Sequence, residues 1–334
     1  MDDLQRDIER VARDSGFSGV VRVDVADEVV VARAHGLARR DLEVPNTVDT
    51  RFGIASGTKG VTALTVMSLV EAGILALDTP ARALLGDDLP LVPDDVTVGH
   101  LLAHRSGIGD YVDEDAIGDI TAFLLPVPVA ELTETADYLR VLEGHPAVAP
   151  AGERFAYCNS GYVVLALLAE RATGRPFREL VHERVCVPAG MATAAFLRTD
   201  ELPGDAAVGY LSSDGLRTNV LHLPVRGSGD GGLYATVADV HALWAAVDAG
   251  DVVAPATLEQ MVRPHGHDAS GTPYGLGFWL APEGAARRLE GADAGVSFLS
   301  VHDPSHRVTW TVVSNATAGA WAVARHLRGT SIGR

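Results

Sequence analysis

The single lysine of this chain, Lys59, stands three residues after Ser56. The chain has 27 Lys and Arg residues in total, so every other one is an arginine. An arginine side chain does not release its proton in proteins, whereas a partly buried lysine amine can do so. A serine hydroxyl becomes an effective nucleophile when a neighbouring base accepts its proton. The spacing therefore indicates a serine nucleophile activated by a lysine amine, with a surface lysine left by chance as the alternative.

A second candidate cluster, Tyr157-Cys158-Asn159, follows Pro150-Ala151-Gly152 and precedes an apolar helical segment. A phenol can shuttle a proton where a neighbouring ammonium group lowers its pKa, and an asparagine amide can hold a lysine amine or a substrate carbonyl. Taken by itself, the pattern is more typical of a core tyrosine followed by a helix-capping asparagine. Its occurrence together with the serine–lysine pair favours catalysis, and we interpret Cys158 as a small core residue.

The serine–lysine pair needs the start of a helix to position it. An apolar helical segment extends over 61–77, and Pro80 ends it. Residues three apart lie on one helical face, so the amine of Lys59 can reach the hydroxyl of Ser56. The first helical turn also supplies free N–H groups and a partial positive charge. A lysine amine acts as a base only where burial or another cation holds it neutral.

Strand patterns occur at both ends of the chain, and helical patterns lie between them. Leu4, Ile8 and Val11 recur at helical spacing, and β-branched runs follow at 20–25 and 29–32. The last hundred residues predict strands and a final helix, at 274–280, 287–289, 296–301, 308–313 and about 318–327. We predict an α/β (α+β) fold in which 1–77 and 225–334 form one lobe and 78–224 form an inserted, mostly helical lobe, with an apolar helix at 162–171.

Composition excludes several classes of function. The formal charge of −17 opposes binding to nucleic acid and to anionic membranes. No apolar run reaches the roughly 18 residues of a spanning helix, and the first residues lack the pattern of a signal peptide. Two cysteines are too few for a disulfide framework or a structural zinc site. We expect a cytoplasmic protein that binds a small molecule, with no metal and no cofactor; its oligomeric state stays open.

The two motifs and their surroundings resemble the penicillin-recognising serine hydrolases: class C β-lactamases, serine DD-peptidases and β-lactamase-like esterases. The similar segments are 49–56, 101–108, 150–162, 231–236 and 274–277. The resemblance implies a β-lactamase-like fold, with an antiparallel sheet flanked by helices and the active site between the lobes. It also implies an acyl-enzyme mechanism in which Ser56 attacks, Lys59 and Tyr157 form a coupled base, and Asn159 orients the site.

A third family motif departs from the usual pattern. Members carry Lys or His, then a small residue, then Gly, on the strand that faces the nucleophile. We assign this motif to Asp293-Ala294-Gly295, which places a carboxylate at the cationic position. A carboxylate there should repel a substrate carboxylate unless an arginine outside the motif compensates. Gly295 permits close backbone approach, and the N–H groups of Ser56 and Val296 would form the oxyanion hole.

Several other patterns are weaker candidates. The glycine-rich loop 227–232 formally matches a dinucleotide-binding motif but lacks its βαβ context, so we interpret it as a loop lining the site, before a capping box at Thr236 and Asp239. Histidines at 265 and 267 are typical of a polar surface loop. The rival functions are a D-amino-acid peptidase or amidase, a β-lactamase, an acyltransferase, and a non-catalytic ligand-binding descendant of the fold. We predict a carboxylesterase-like serine hydrolase acting on esters or small amides.

Overall fold

A computed structural model of the chain describes residues 2–113, 117–330 and 332. Ten α-helices occur in this described part: α1 Asp2–Asp14, α2 Thr58–Glu71, α3 Ala81–Leu85, α4 Val98–Leu102, α5 Leu139–Leu142, α6 Asn159–Thr173, α7 Phe177–Val181, α8 Val237–Ala249, α9 Pro255–Met261 and α10 Trp321–Gly329. Its strands are β1 Gly19–Val25, β2 Glu28–His35, β3 Leu37–Arg39, β4 Val44–Pro45, β5 Phe52–Gly53, β6 Tyr234–Ala235, β7 Gly266–His267, β8 Pro273–Tyr274, β9 Trp279–Leu280, β10 Arg287–Asp293, β11 Val296–Asp303 and β12 Val308–Ser314.

One eight-stranded sheet organises the fold, in the order β2-β1-β12-β11-β10-β9-β8-β7. All of its neighbouring strands pair antiparallel. Strand β1 pairs with β12, from Gly19 opposite Ser314 to Val25 opposite Val308, so strands from the two ends of the chain lie side by side in one sheet. The expected antiparallel sheet flanked by helices is therefore confirmed.

Each face of the sheet packs against a different set of helices, because successive strand residues point to opposite faces. In β1, Val20 packs in the larger core together with α2, α6 and α8. The next residue, Val21, packs on the other face with α1 and α10. Helix α2 is buried along almost its whole length, as expected for a helix that is apolar on every side.

The described residues between Leu77 and Tyr234 form helices, turns and isolated bridges but no strand. This segment carries α3 to α7 and packs α6 against α2 and α4. The inserted helical lobe and its boundaries at 78–224 remain our proposal for how the chain divides. No helix within the described residues is both long and apolar enough to span a membrane.

The predicted strand at 274–280 is wrong: two short strands, β8 and β9, replace it. Gly275 donates its N–H to the carbonyl of Phe278, and Gly277 has a φ of +89°. Since glycine adopts positive φ without a steric penalty, this pair folds the segment into a tight turn. Helix α2 also ends earlier than predicted, at Glu71, where Gly73 with a φ of +69° follows.

Candidate active site

Ser56 lies in a single 3₁₀ turn, Ala55–Gly57, that leads directly into α2. The preceding Ala55 has a φ of +44°, a left-handed conformation that costs energy for any residue with a Cβ. The following Gly57 is packed against the ring of Phe298, where a Cβ would lie 2.5 Å from the nearest ring carbon. The chain is therefore bent sharply and held tightly at the residue that presents the hydroxyl.

Lys59 is only 2% exposed, and its Nζ contacts three oxygen atoms. It lies 2.9 Å from Ser56 Oγ, 2.7 Å from Asn159 Oδ1 and 2.8 Å from the carbonyl oxygen of Asp230. The two carbonyl oxygens can only accept hydrogen bonds. A neutral amine has two N–H donors and one lone pair, so with both donors on the carbonyls its lone pair faces Ser56 Oγ. The geometry therefore suits transfer of the serine proton to the amine.

Tyr157 lines the same cavity as Ser56, and its ring is held between two others. The imidazole of His104 lies 4.3 Å from it, centroid to centroid, and the indole of Trp279 stacks on it at 6.2 Å with an interplanar angle of 10°. Lys59 Nζ lies 5.0 Å from the centroid of the tyrosine ring. The structure thus brings together Ser56, Lys59, Tyr157 and Asn159, as the sequence analysis predicted.

His104 is a buried histidine that the sequence analysis did not assign to the site. Its Nδ1 accepts a hydrogen bond from the backbone N–H of Cys158 at 3.1 Å. Burial lowers the pKa of His104 well below its usual value, and the charge of Lys59 lowers it further. The neutral imidazole thus supports the backbone beside Tyr157. Burial also raises the pKa of the Cys158 thiol well above its usual value, which agrees with a core residue.

The loop 227–232 approaches the lysine through its backbone, and the capping box of Thr236 and Asp239 at the start of α8 is confirmed. Besides the carbonyl bonded to Lys59, the carboxylate of Asp230 accepts a hydrogen bond from the hydroxyl of Tyr111 at 2.5 Å. Burial raises the pKa of the Asp230 carboxyl, and the charge of Lys59 counteracts part of that shift. Neither Asp230 nor Tyr111 stands in a sequence pattern that indicated this role.

The strand position beside the nucleophile is Gly291, and not Gly295 as the sequence analysis assigned. A Cβ built on Gly291 would overlap the carbonyl oxygen of Ile54 and lie 2.9 Å from the nitrogen of Ser56. Gly295 instead has a φ of +73° in the β10–β11 turn and packs against Gly209 and Tyr210. The Lys/His-x-Gly position thus corresponds to Leu289-Glu290-Gly291, with the buried Leu289 where the family carries a cation.

The register of this hairpin moves the expected oxyanion donor from Val296 to Ala292. A two-residue turn joins Asp293 to Val296, so that pair exchanges both hydrogen bonds and the next pair, Ala292 opposite Ser297, exchanges none. Strand β9 pairs only with Arg287 and Arg288, which leaves the outer edge of β10 unpaired at Ala292. The N–H of Ala292 therefore faces the strand edge beside Ser56. Val296 belongs to β11, which lies between β10 and β12 and so has no free edge there.

Two cavities open beside Ser56. One, of about 260 Å³, has apolar walls that include Ile120, Phe123 and Leu125, and it carries the carboxylates of Asp230 and Asp293. The other, of about 850 Å³, contains Tyr157 and Trp279. Charged residues of both signs line it: Arg154, Arg288, Asp110, Asp113, Asp268 and Glu290. The described residues of the first cavity include no lysine or arginine. Arginines outside the motif do occur in the second, where Arg288 donates to Glu290 at 2.9 Å.

Replacing Gly291 by alanine should remove most activity, because a Cβ there would push β10 away from the nitrogen of Ser56. Loss of one oxyanion donor typically lowers kcat by about 10²- to 10³-fold. Hydrolysis of p-nitrophenyl acetate measures the effect. The matched control is Gly204→Ala, since a Cβ at Gly204 would have no atom within 4 Å. Equal activity of the two variants would contradict this placement of the oxyanion hole.

The described residues contain no cluster of three or more His, Cys, Asp or Glu side chains suited to a metal ion. The site contains the buried amine of Lys59, which contacts one hydroxyl and two carbonyl oxygens. The phenol of Tyr157 and the unpaired edge of β10 lie beside it. Such a set can activate a serine, stabilise an oxyanion and return a proton to a leaving group.

Comparisons with known proteins show which proteins this chain resembles. A family model described as Beta-lactamase matches residues 4–330. The crystal structure of a penicillin binding protein from Bacillus halodurans is 33% identical and superposes with a TM-score of 0.90, covering 96% of this chain and 99% of that chain.

Two curated relatives have different names. Esterase EstB of Burkholderia gladioli is 30% identical over 290 residues, which are 76% of this chain and 72% of the esterase. A D-aminopeptidase of Brucella anthropi is 29% identical over 333 residues, which are 95% of this chain and 60% of that protein. The chain therefore spans between 60 and 72% of the length of these curated relatives.

Proposed function

This chain belongs to the beta-lactamase family of serine hydrolases, and from that premise we propose that it cleaves esters or small amides through an acyl-serine intermediate. The observation that carries the proposal is the contact of Lys59 Nζ with Ser56 Oγ while two carbonyl oxygens bind its other donors. Of these three neighbours of the amine, only the Ser56 hydroxyl carries a proton that the amine can accept.

The reaction then follows from the positions of these groups. Ser56 Oγ attacks the substrate carbonyl carbon as its proton passes to the Lys59 amine. The N–H groups of Ser56 and Ala292 stabilise the oxyanion. The proton returns through Lys59 and Tyr157 to the leaving alcohol or amine, which departs and leaves an ester on Ser56. Water adds to that ester by the same route and releases the acid and the free serine.

Incubation with a fluorophosphonate followed by intact-mass measurement tests this function directly. We expect a stoichiometric mass increase, located on Ser56 by peptide mapping. A panel of p-nitrophenyl esters, nitrocefin and D-alanyl peptides then measures the substrate preference. A chain that takes up no label and hydrolyses none of these substrates would be a non-catalytic binding protein of the same fold.

The smaller cavity favours neutral or cationic substrates over anionic ones. Asp293 does not occupy the position where the family carries a cation, but it lines this cavity together with Asp230 and Ser56. Two unit charges about 4 Å apart interact by roughly 4 kcal/mol at an effective dielectric constant near 20. Repulsion of half that size lowers affinity for a carboxylate about thirtyfold. The same carboxylates would attract an ammonium group, which favours a D-amino-acid peptidase or amidase as the second candidate.

We therefore expect neutral short-chain esters to react with a higher kcat/KM than penicillins or peptides ending in a free carboxylate. Asp293→Lys should narrow the gap by improving the carboxylate substrates selectively, and Asp293→Asn should have an intermediate effect. The test is to measure kcat/KM for pairs of esters that differ only in a carboxylate, with the wild-type protein and with both variants. Efficient nitrocefin hydrolysis by the unmodified protein, with no gain in the lysine variant, would contradict the prediction.

A further inference from the structure

A carboxylate outside the predicted motifs organises the start of helix α6. Asp110 Oδ2 accepts the backbone N–H of Asn159 at 2.7 Å, and Asp110 Oδ1 accepts the backbone N–H of Ser160 at 2.8 Å and its hydroxyl at 3.1 Å. Oδ2 also accepts the side-chain Nδ2 of Asn159 at 3.3 Å. Asp110 thus binds both the backbone and the side chain of the residue that contacts Lys59.

These contacts determine which way the Asn159 amide points. Its Nδ2 faces the Asp110 carboxylate and, at 3.1 Å, the carbonyl oxygen of Val112. Both partners can only accept hydrogen bonds. The reversed amide would place Oδ1 against two oxygens and turn its NH₂ group toward the amine of Lys59. The carboxylate therefore keeps Oδ1 directed at Lys59 Nζ, where the distance is 2.7 Å.

The same short segment also holds the other carbonyl that binds the lysine. Tyr111, the residue after Asp110, donates its hydroxyl to the carboxylate of Asp230, and the backbone carbonyl of Asp230 accepts from Lys59. The backbone N–H of Tyr111 in turn donates to the hydroxyl of Ser160 at 3.0 Å. The segment 110–112 therefore contacts both residues whose carbonyl oxygens accept from the Lys59 amine: Asp110 binds Asn159, and Tyr111 binds Asp230.

We infer that Asp110 is a positioning residue for catalysis, which acts by orienting the Asn159 amide so that the lone pair of Lys59 faces Ser56. The inference rests on the proposed function, because it assumes that Lys59 is the base. In this role Asp110 does not need to contact the substrate. A purely structural role, the capping of α6, would by contrast affect stability and not the chemical step.

Asp110→Ala should lower kcat/KM for a neutral p-nitrophenyl ester by about ten- to hundredfold, since small misplacements of catalytic groups have effects of that size. Most of the loss should appear in kcat. Asp110→Asn keeps one oxygen that can accept from Asn159, although its NH₂ group then faces the backbone N–H of Ser160, which cannot accept a hydrogen bond and makes this variant less stable than wild type. We therefore expect the asparagine variant to recover at least severalfold of the lost activity. Melting temperatures are measured alongside.

Asp239 provides a matched control at the start of α8. Its carboxylate also accepts backbone N–H groups and hydroxyls, from Thr193 and Thr236, and it does not line the cavities beside Ser56. Asp239→Ala should lower the melting temperature and leave the kcat of the folded protein within about twofold of wild type. A loss of kcat as large as that of Asp110→Ala would show that helix capping explains both.

A double-mutant cycle with Asn159→Ala separates positioning from other effects. If Asp110 acts through Asn159, the double variant should be no less active than Asn159→Ala, within about twofold. Independent, multiplying losses would overturn the inference, as would an Asp110→Ala variant with nearly full activity. Fluorophosphonate labelling of the wild-type Ser56 tests the proposed function separately, so the two ideas can fail independently.

Discussion

Ser56→Ala abolishes covalent labelling by a fluorophosphonate and lowers kcat for p-nitrophenyl esters by at least about 10³-fold; this is the largest effect that we expect. Loss of a catalytic nucleophile typically costs that much or more, while binding and oxyanion contacts persist. The substitution removes only the hydroxyl, which contacts Lys59 Nζ at 2.9 Å. The fold should persist, because the bend at Ala55 and the packing of Gly57 involve no Ser56 side-chain atom.

Intact mass, kcat and melting temperature are measured on the same preparation. Serine at position 106 offers a control, because it is buried but lies in no cavity beside the nucleophile. Ser106→Ala should label normally. Undiminished turnover by the Ser56→Ala variant would rule out the acyl-serine mechanism.

Lys59→Arg should lose nearly as much activity as Lys59→Ala, and this is the second large effect. The arginine keeps a positive charge but does not accept a proton at any relevant pH. It is also larger and planar, and the lysine side chain is only 2% exposed, with oxygen atoms of Ser56, Asn159 and Asp230 at 2.7 to 2.9 Å from its amine. Single-turnover acylation by p-nitrophenyl acetate measures the chemical step without the contribution of deacylation.

Lys59→Met serves as the matched comparison, because methionine has a similar length and no charge. If the amine is the base, the arginine and methionine variants should both lose most of the acylation rate. Should the arginine variant retain most of its activity, Lys59 would be an electrostatic partner and Tyr157 the base. Circular dichroism checks that the buried guanidinium has not unfolded the protein.

Much of the site could be predicted from the sequence because its chemistry is local. Ser56 and Lys59 are three residues apart on one helical turn, and the bias toward arginine made the single lysine stand out. Tyr157 and Asn159 likewise lie in one short motif. Helix and strand periodicity predicted the existence of α2, α6 and the five long strands β1, β2, β10, β11 and β12, although not all of their bounds, since each element buries apolar residues.

The contacts between distant segments could not be predicted in the same way. Asn159 Oδ1 bonds Lys59 across 100 positions of sequence, and the carbonyl of Asp230 bonds it across 171. The backbone carbonyl of Asp230 has no residue-type signal, because every residue carries one. The contacts of Asp110 could not be predicted for a related reason: a carboxylate can orient an amide only when the fold places that amide beside it.

At the third motif, the prediction from the sequence and the structure disagree. Asp293-Ala294-Gly295 has a plausible composition, but which glycine faces the nucleophile depends on the register of β10 against β11 and on the strand edge that β9 leaves unpaired. Gly291 and Gly295 are four residues apart, and a shift by any even number of residues keeps every side chain on its own face of a strand, so alternation does not distinguish the two glycines. The sequence by itself was enough to predict the family, which the comparisons confirm, and to propose Ser56 as the nucleophile and Lys59 as its base. Only the tertiary structure shows which strand edge lies beside Ser56, how the Asn159 amide is oriented and which acidic residues line the cavity, because these depend on contacts between segments far apart in the chain.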